Sequence, residues 1–79
     1  MAVTSNARSG PVKRSITIAG HRTSLSLESE FWEALNSLAD ARNTSLAGLV
    51  AAIDEQRGRS NLSSALRIAV LKAVQSNEI

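Results

Sequence analysis

The 79-residue chain has no cysteine, one histidine, one proline and only two aromatic residues. Without cysteine it forms neither a disulfide nor a thiolate metal site, and His21 alone cannot hold a zinc ion, so we expect no metal and no cofactor. No apolar run approaches the roughly 18 residues of a membrane span, and the N-terminus lacks the apolar stretch of a signal peptide. These absences predict a cytoplasmic protein that does not enter a membrane.

Catalytic groupings are also missing. The sequence shows no phosphate-cradling glycine loop and no paired buried carboxylates, and His21 falls in a predicted turn without a neighbouring acid. We therefore predict that the protein is not an enzyme. A domain this small is marginally stable alone, and without disulfides or metals the remaining source of stabilisation is oligomerisation.

Charge is distributed unevenly along the chain. Every charged residue before Glu28 is basic, namely Arg8, Lys13, Arg14 and Arg22. This asymmetry predicts a polyanionic partner for the N-terminal part, with a merely solubilising basic arm as the alternative. If the partner is a nucleic acid, we expect Lys13 and Arg14 to contact phosphates.

The N-terminal third divides into an arm and a strand region. Residues 1–13 show no periodicity and are interpreted as a flexible basic arm, followed by a single domain over 14–79. Within 15–27, polar and apolar residues alternate, but the apolar positions change from even to odd around Gly20. This change indicates a bulge or a tight turn, so that 15–19 and 23–27 are either one bent ribbon or a hairpin.

Three helices are predicted after the strand region, over 29–42, 46–57 and 62–75. The first shows apolar residues at helical spacing from Phe31 onward, the second has Ser45 as its N-cap and ends before Gly58, and Asn61 caps the third. The apolar face of the third helix is wider than a terminal helix needs. It either packs in the core or meets another chain.

A strand followed by helices leaves both strand edges unpaired, which predicts that the strand pairs with its copy in a second chain. Leu25 and Leu27 would then face the helices, while Arg22, Ser24 and Ser26 lie on the outer face. A two-stranded antiparallel ribbon fits the major groove of DNA, where arginine and serine can bond to base edges. We therefore predict that these three residues contact bases.

The segment "RTSLSLESEFWEALNSLADARNTSLAGLVAAI", together with "KRS" before it and "NLSSALR" after it, resembles the ribbon-helix-helix family over about residues 22–57. The resemblance implies a mainly α fold with a short β-ribbon, in which an intertwined homodimer forms an intermolecular antiparallel two-stranded sheet; a third helix follows at the C-terminus. It implies a bacterial, sequence-specific DNA-binding transcriptional regulator, most often a repressor. It also implies a phosphate contact at Ser45, Leu46 and Ala47.

The expected partners are double-stranded DNA and a second copy of the chain, with higher-order assembly on DNA, in association with the nucleoid. The residues expected in the dimer core are Leu25, Leu27, Phe31, Trp32, Leu35, Leu49, Val50 and Ile53. The competing hypothesis is a protein interaction module, antitoxin-like or an adaptor, that binds a protein partner through its apolar third helix.

Overall fold

Two strands and three helices follow one another in the computed structural model, which describes residues 10–79. The elements are β1 Pro11–Ile18, β2 His21–Glu28, α1 Ser29–Ala41, α2 Leu46–Gln56 and α3 Leu62–Gln75. The three helices begin at the predicted residues. The first two end one residue earlier than predicted, and the third ends as predicted.

The two strands form an antiparallel hairpin within one chain. Ala19 and Gly20 connect them with φ angles of 50° and 85°, and two consecutive positive values are typical of a type I′ turn. Because Ile18 is paired with His21, even positions of β1 lie opposite odd positions of β2. This register explains the change of apolar parity at Gly20 and decides for the hairpin over one bent ribbon.

The strand region begins earlier than the sequence predicted. Residues 11–13 were assigned to the flexible arm, but they are the first three residues of β1 and pair with residues 26–28. The polar residues 13–15 interrupt the alternation between Val12 and Ile16, so the sequence pattern does not show this extension of the strand. The pairing with β2 defines it. The remainder of the predicted arm, residues 1–9, lies outside the described residues.

The antiparallel two-stranded ribbon is confirmed, but its partner strand comes from the same chain. β1 pairs with one edge of β2, so β2 already has a partner strand within the chain. Unpaired strand edges alone therefore do not require a second chain. The other edge of β2 has no strand beside it among residues 10–79. The structure describes a single chain, and dimerisation remains a prediction.

The core lies between the inner face of the hairpin and the three helices. The strands contribute Ile16, Ile18, Leu25 and Leu27 to it, and no polar side chain is buried among the described residues. The helices supply Trp32, Leu35, Leu38, Ala39, Leu49, Val50, Leu66, Val70 and Ala73. Burial of these apolar side chains is the main favourable contribution to the stability of so small a domain.

Trp32 joins the hairpin to the first helix. Its side chain is 1% exposed, and its indole Nε1–H donates a hydrogen bond of 2.9 Å to the backbone carbonyl of Val12 in β1. Trp32 therefore packs at the junction of the hairpin and α1. This hydrogen bond connects β1 to α1. It thereby fixes the orientation of the hairpin relative to the helices.

The connection between α1 and α2 is tight. Asn43 follows α1 with φ of 56°, the left-handed conformation expected after a helix end, and Ser45 Oγ accepts a hydrogen bond of 2.9 Å from the backbone N–H of Gly48. A Cβ atom on Gly48 would lie 2.6 Å from Thr44 Oγ1. Within this chain, Gly48 is therefore explained by the capping turn before it, without an approaching helix from a second chain.

α3 packs in the core, the first of the two alternatives that the sequence left open. Leu66, Val70 and Ala73 on one side are buried in the core. On the rest of the helix circumference, Ile68, Leu71 and Val74 are exposed to solvent. Packing in the core thus uses only part of the apolar surface of this helix.

Candidate nucleic-acid interface

Between the turn and the open end, where Pro11 pairs with Glu28, the outer face of the hairpin carries six exposed polar side chains. Opposite residues of an antiparallel pair point to the same side of a sheet, so the register groups them in three cross-strand pairs. The pairs are Lys13 with Ser26, Ser15 with Ser24, and Thr17 with Arg22. We call these six residues the ribbon face; all six are exposed, and all lie on the opposite side of the hairpin from the core leucines.

Positive charge lies at two opposite corners of the ribbon face. Lys13 is on β1 near the open end, and Arg22 is on β2 near the turn. Their pairs are separated by four residues along the strands, which is about 13 Å at the usual rise per residue. No aspartate or glutamate is among the six residues, so the ribbon face presents two cations with four hydroxyl groups between and beside them.

Glu28 at the open end of the hairpin is neutralised by an ion pair. Its carboxylate accepts hydrogen bonds of 2.9 and 3.1 Å from the guanidinium group of Arg67 in α3. A backbone hydrogen bond, and after it the bond from Arg67, lowers the pKa of Glu28 below its ordinary value. Glu28 is therefore ionised near neutral pH, but its charge is balanced by Arg67 and does not offset the two cations of the ribbon face.

The structure brings together the three residues that the sequence proposed as base contacts. Arg22, Ser24 and Ser26 are at alternate positions of β2, exposed on the same face. Ser15 and Thr17 of β1 share that face and were not predicted. The signal for them is the alternation in "SITI", which places two hydroxyl residues opposite two buried isoleucines, but only the hairpin register places them beside Ser24 and Arg22.

Lys13 and Arg14, predicted together as phosphate contacts, lie on opposite faces of β1. Successive residues of a strand alternate, so Lys13 joins the ribbon face while Arg14 lies on the side of the helices. The guanidinium carbon of Arg14 is 5.1 Å from the centroid of the Trp32 ring, within the range of a cation–π interaction. Of the two cations, only Lys13 belongs to the ribbon face.

The N-terminus of α2 is formed by the three residues expected to hold a phosphate. Ser45 is the N-cap, and its hydroxyl already accepts a hydrogen bond from Gly48. Leu46 and Ala47 follow as the first two helical residues, whose backbone N–H groups have no acceptor within the helix because of their position. Phosphate binding by this turn remains a prediction.

Residues predicted for the dimer core are already covered within one chain. Leu25, Leu27, Trp32, Leu35, Leu49 and Val50 are buried there, while Phe31 and Ile53 are partly buried against the same core. Their burial does not need a second chain. Their contribution to a dimer is left as a prediction.

The part of the chain that the structure describes contains no group of three histidine, cysteine, aspartate or glutamate side chains arranged to hold a metal ion. Over the same residues, no helix has the length and apolar character required to cross a membrane.

This geometry defines a class of protein: a small domain in which a two-stranded antiparallel ribbon, polar and cationic on its outer face, is mounted on helices. A family model for the ribbon-helix-helix domain matches residues 11–74, and the chain belongs to this family. Ribbon-helix-helix domains are generally DNA-binding transcription regulators, and the fold is a non-enzymatic one. Comparisons with curated proteins and with solved structures found no significant match.

Proposed function

We propose that the protein is a sequence-specific, DNA-binding transcriptional repressor that inserts its ribbon face into the major groove and blocks transcription by occupying its operator. The observation that carries this proposal is the composition of the ribbon face: six exposed polar side chains, two of them cationic and none acidic, on a rigid hairpin. The proposal places the protein on the chromosome in the bacterial cytoplasm.

Direct reading of bases requires side chains of suitable chemistry at the centre of the groove. A two-stranded ribbon can enter the major groove, where arginine bonds two acceptors of guanine and serine bonds to several base edges. Arg22, Ser24 and Ser26 supply these groups along one strand, at alternate positions on the same face. We assign base contacts to these three residues.

We further propose that two copies pair along the free edge of β2, since ribbon-helix-helix proteins typically bind DNA as dimers. In a two-residue hairpin the turn bonds Ile18 to His21, and hydrogen-bonded pairs then alternate along the ladder. The backbone groups of Arg22, Ser24 and Ser26 consequently point away from β1. These groups are available to the β2 strand of a second copy. The two β2 strands would then form the centre of a four-stranded sheet.

Such a sheet assigns different roles to the two strands. Four strands at the usual spacing of about 4.8 Å span roughly 14 Å between their outer axes, which exceeds the roughly 12 Å width of the major groove. The two central β2 strands would enter the groove and the β1 strands would flank it. We therefore assign Lys13 a phosphate contact, with the backbone amides at Ser45, Leu46 and Ala47 as a second phosphate contact.

Substitutions on the ribbon face test these assignments on an operator selected from random duplexes. Arg22→Ala combined with Ser24→Ala should abolish specific binding but leave the circular dichroism and melting temperature unchanged, because both side chains are exposed. Lys13→Ala should weaken binding equally on all sequences and, because a dimer loses two phosphate contacts, reduce the slope of log affinity against log salt by about 2.

Matched controls are available away from the hairpin. Lys72→Ala removes a similarly exposed lysine and Ser37→Ala a similarly exposed hydroxyl, both on helices, and both should bind DNA as the wild type does. Retained operator affinity in the Arg22 and Ser24 double variant would refute the assignment of base contacts. A loss in Lys72→Ala equal to that in Lys13→Ala would show that positive charge drives binding wherever it lies.

A further inference from the structure

The solvent side of α3 exposes three large apolar side chains. Ile68, Leu71 and Val74 are 50%, 54% and 51% exposed, respectively, although each lies in a helix whose other side packs in the core. Because the residues recur three apart, they run obliquely across the helix over about 9 Å of its axis, from the α2 side at Ile68 to the α1 side at Val74. Contiguous exposed apolar residues of this kind mark an interaction surface more often than single ones do.

The charged residues of α3 itself are all basic. α3 contains Arg67 and Lys72 but no aspartate or glutamate. Arg67 is paired with Glu28, whereas no acidic side chain among residues 10–79 forms an ion pair with Lys72. On the flank of α3 toward α2, where Lys72 lies, the free charge is therefore positive.

A groove between α2 and α3 continues the surface beyond Ile68. It encloses about 430 Å³, is open to solvent, and is lined by both polar and apolar residues, with Ile53 and Ala69 among the apolar ones. Its cations are Arg42, Arg57 and Lys72; the first two are held by Glu78 and Asp54. The opposite flank of α3, toward α1, carries Asp40 near Val74.

A second copy of α3 is a poor occupant of this surface. In an antiparallel pair of helices related by a two-fold axis, each flank meets its own copy, so the flank with Lys72 would face a second Lys72. Like charges in such contact disfavour the pair. A partner with apolar residues on one face and carboxylates on that flank covers the exposed apolar residues and also pairs with the free cation.

We propose that the outer face of α3, with the adjoining groove, binds an acidic amphipathic helix of another protein. Apolar residues of the partner, three or four apart, cover Ile68 and Leu71, and its carboxylates lie beside Lys72. The ribbon face is a separate set of residues on the hairpin. The partner can therefore be bound by the protein whether or not the ribbon face holds DNA.

The test is selection from a displayed library of short amphipathic helical peptides on the full chain, with leucine anchors fixed and flanking positions free to be glutamate, glutamine or lysine. We expect enrichment of glutamate on one flank. Enriched peptides, measured by fluorescence anisotropy, should lose about tenfold or more in affinity for Leu71→Asp and keep it for the Lys13→Ala, Arg22→Ala double variant.

Charge reversal provides the specific readout. Lys72→Glu should shift the preference from glutamate to lysine on the flank, a change that a loss of folding would not produce. Both α3 variants should melt as the wild type does, since Leu71 and Lys72 are exposed. Enrichment of peptides without a preference for glutamate would overturn the proposal. So would peptide binding that is unchanged by Leu71→Asp, or that is lost in the Lys13→Ala, Arg22→Ala double variant. Conversion of a dimer to a monomer by Leu71→Asp would show that a second copy occupies the surface.

Discussion

Replacing Trp32 with phenylalanine tests how the hairpin is held on the helices. The substitution removes the indole N–H that donates to the Val12 carbonyl and leaves a space in a site where the side chain is 1% exposed. The lost hydrogen bond costs about 1 kcal/mol, and the smaller ring costs roughly 1 to 2 kcal/mol more through lost apolar burial and packing. We expect a total loss of about 2 to 3 kcal/mol.

A loss of this size is a large fraction of the stability of the domain. At about 0.05 to 0.15 kcal/mol per residue, a chain of this length has on the order of 4 to 12 kcal/mol in total. The melting temperature of Trp32→Phe should therefore fall by roughly 10 to 20 °C, measured by circular dichroism and by urea unfolding. At a low temperature, where the variant is still folded, its affinity for DNA should change less than its stability does, because all six side chains of the ribbon face are still present.

Arg14→Ala is the matched control for Trp32. It removes the cation over the same ring, 5.1 Å from the centroid, without touching the hydrogen bond to Val12. Because Arg14 is exposed, we expect a loss of about 0.5 to 1 kcal/mol, clearly less than for Trp32→Phe. If Trp32→Phe unfolds at the same urea concentration as the wild type, the indole bond and its packing do not hold the hairpin.

Two further outcomes follow from local geometry. Ala19 has a positive φ in the turn, where asparagine is tolerated better than alanine, so Ala19→Asn should stabilise by about 0.5 to 1 kcal/mol in urea unfolding; Ala52→Asn in α2 should destabilise, and a loss for both would contradict a type I′ turn. The pKa of Glu28 is lowered in the folded state, so its ionised form stabilises the protein above its ordinary value of 4.5, and this contribution is lost as the pH falls through the lower folded pKa. Glu28→Gln should lower stability at neutral pH and flatten the decline on acidification, and parallel pH profiles of wild type and variant would exclude a role for the pair with Arg67.

The helices could be predicted from the sequence because their signals are local. Ser45 and Asn61 cap the helices they precede, and Asn43 takes the left-handed conformation expected after α1. The signals of a helix, apolar residues at helical spacing and capping residues at its ends, lie close together in the sequence and do not depend on distant residues. Each helix boundary was therefore predicted to within one residue.

The hairpin could not be fully predicted because the pairing of a strand depends on residues outside it. Ala19 is an unusual residue for a turn position with positive φ, so the turn lacks the asparagine or aspartate before glycine that usually marks a hairpin. A shift of one residue in register would have exchanged Lys13 and Arg14 between the two faces. The alternation alone does not decide which of them joins Arg22, and the place of Ser15 and Thr17 on the ribbon face depends on the same register.

The third helix shows another limit of periodicity. A wide apolar face was evident from the sequence, but how much of it the chain covers depends on the packing of α1 and α2 against it. The structure buries Leu66 and Val70 and leaves Ile68 and Leu71 exposed. Only this division defines the exposed apolar surface of α3.

The most direct test of the account is the binding of the wild-type protein to random duplex DNA, followed by fluorescence anisotropy across a series of salt concentrations, with the mass in solution determined in parallel. We predict a dimer whose affinity falls steeply with salt, because Lys13 and Arg22 of the ribbon face displace counterions from phosphates. A protein that does not bind duplex DNA even at low salt would contradict the assignment of the ribbon face as a nucleic-acid interface.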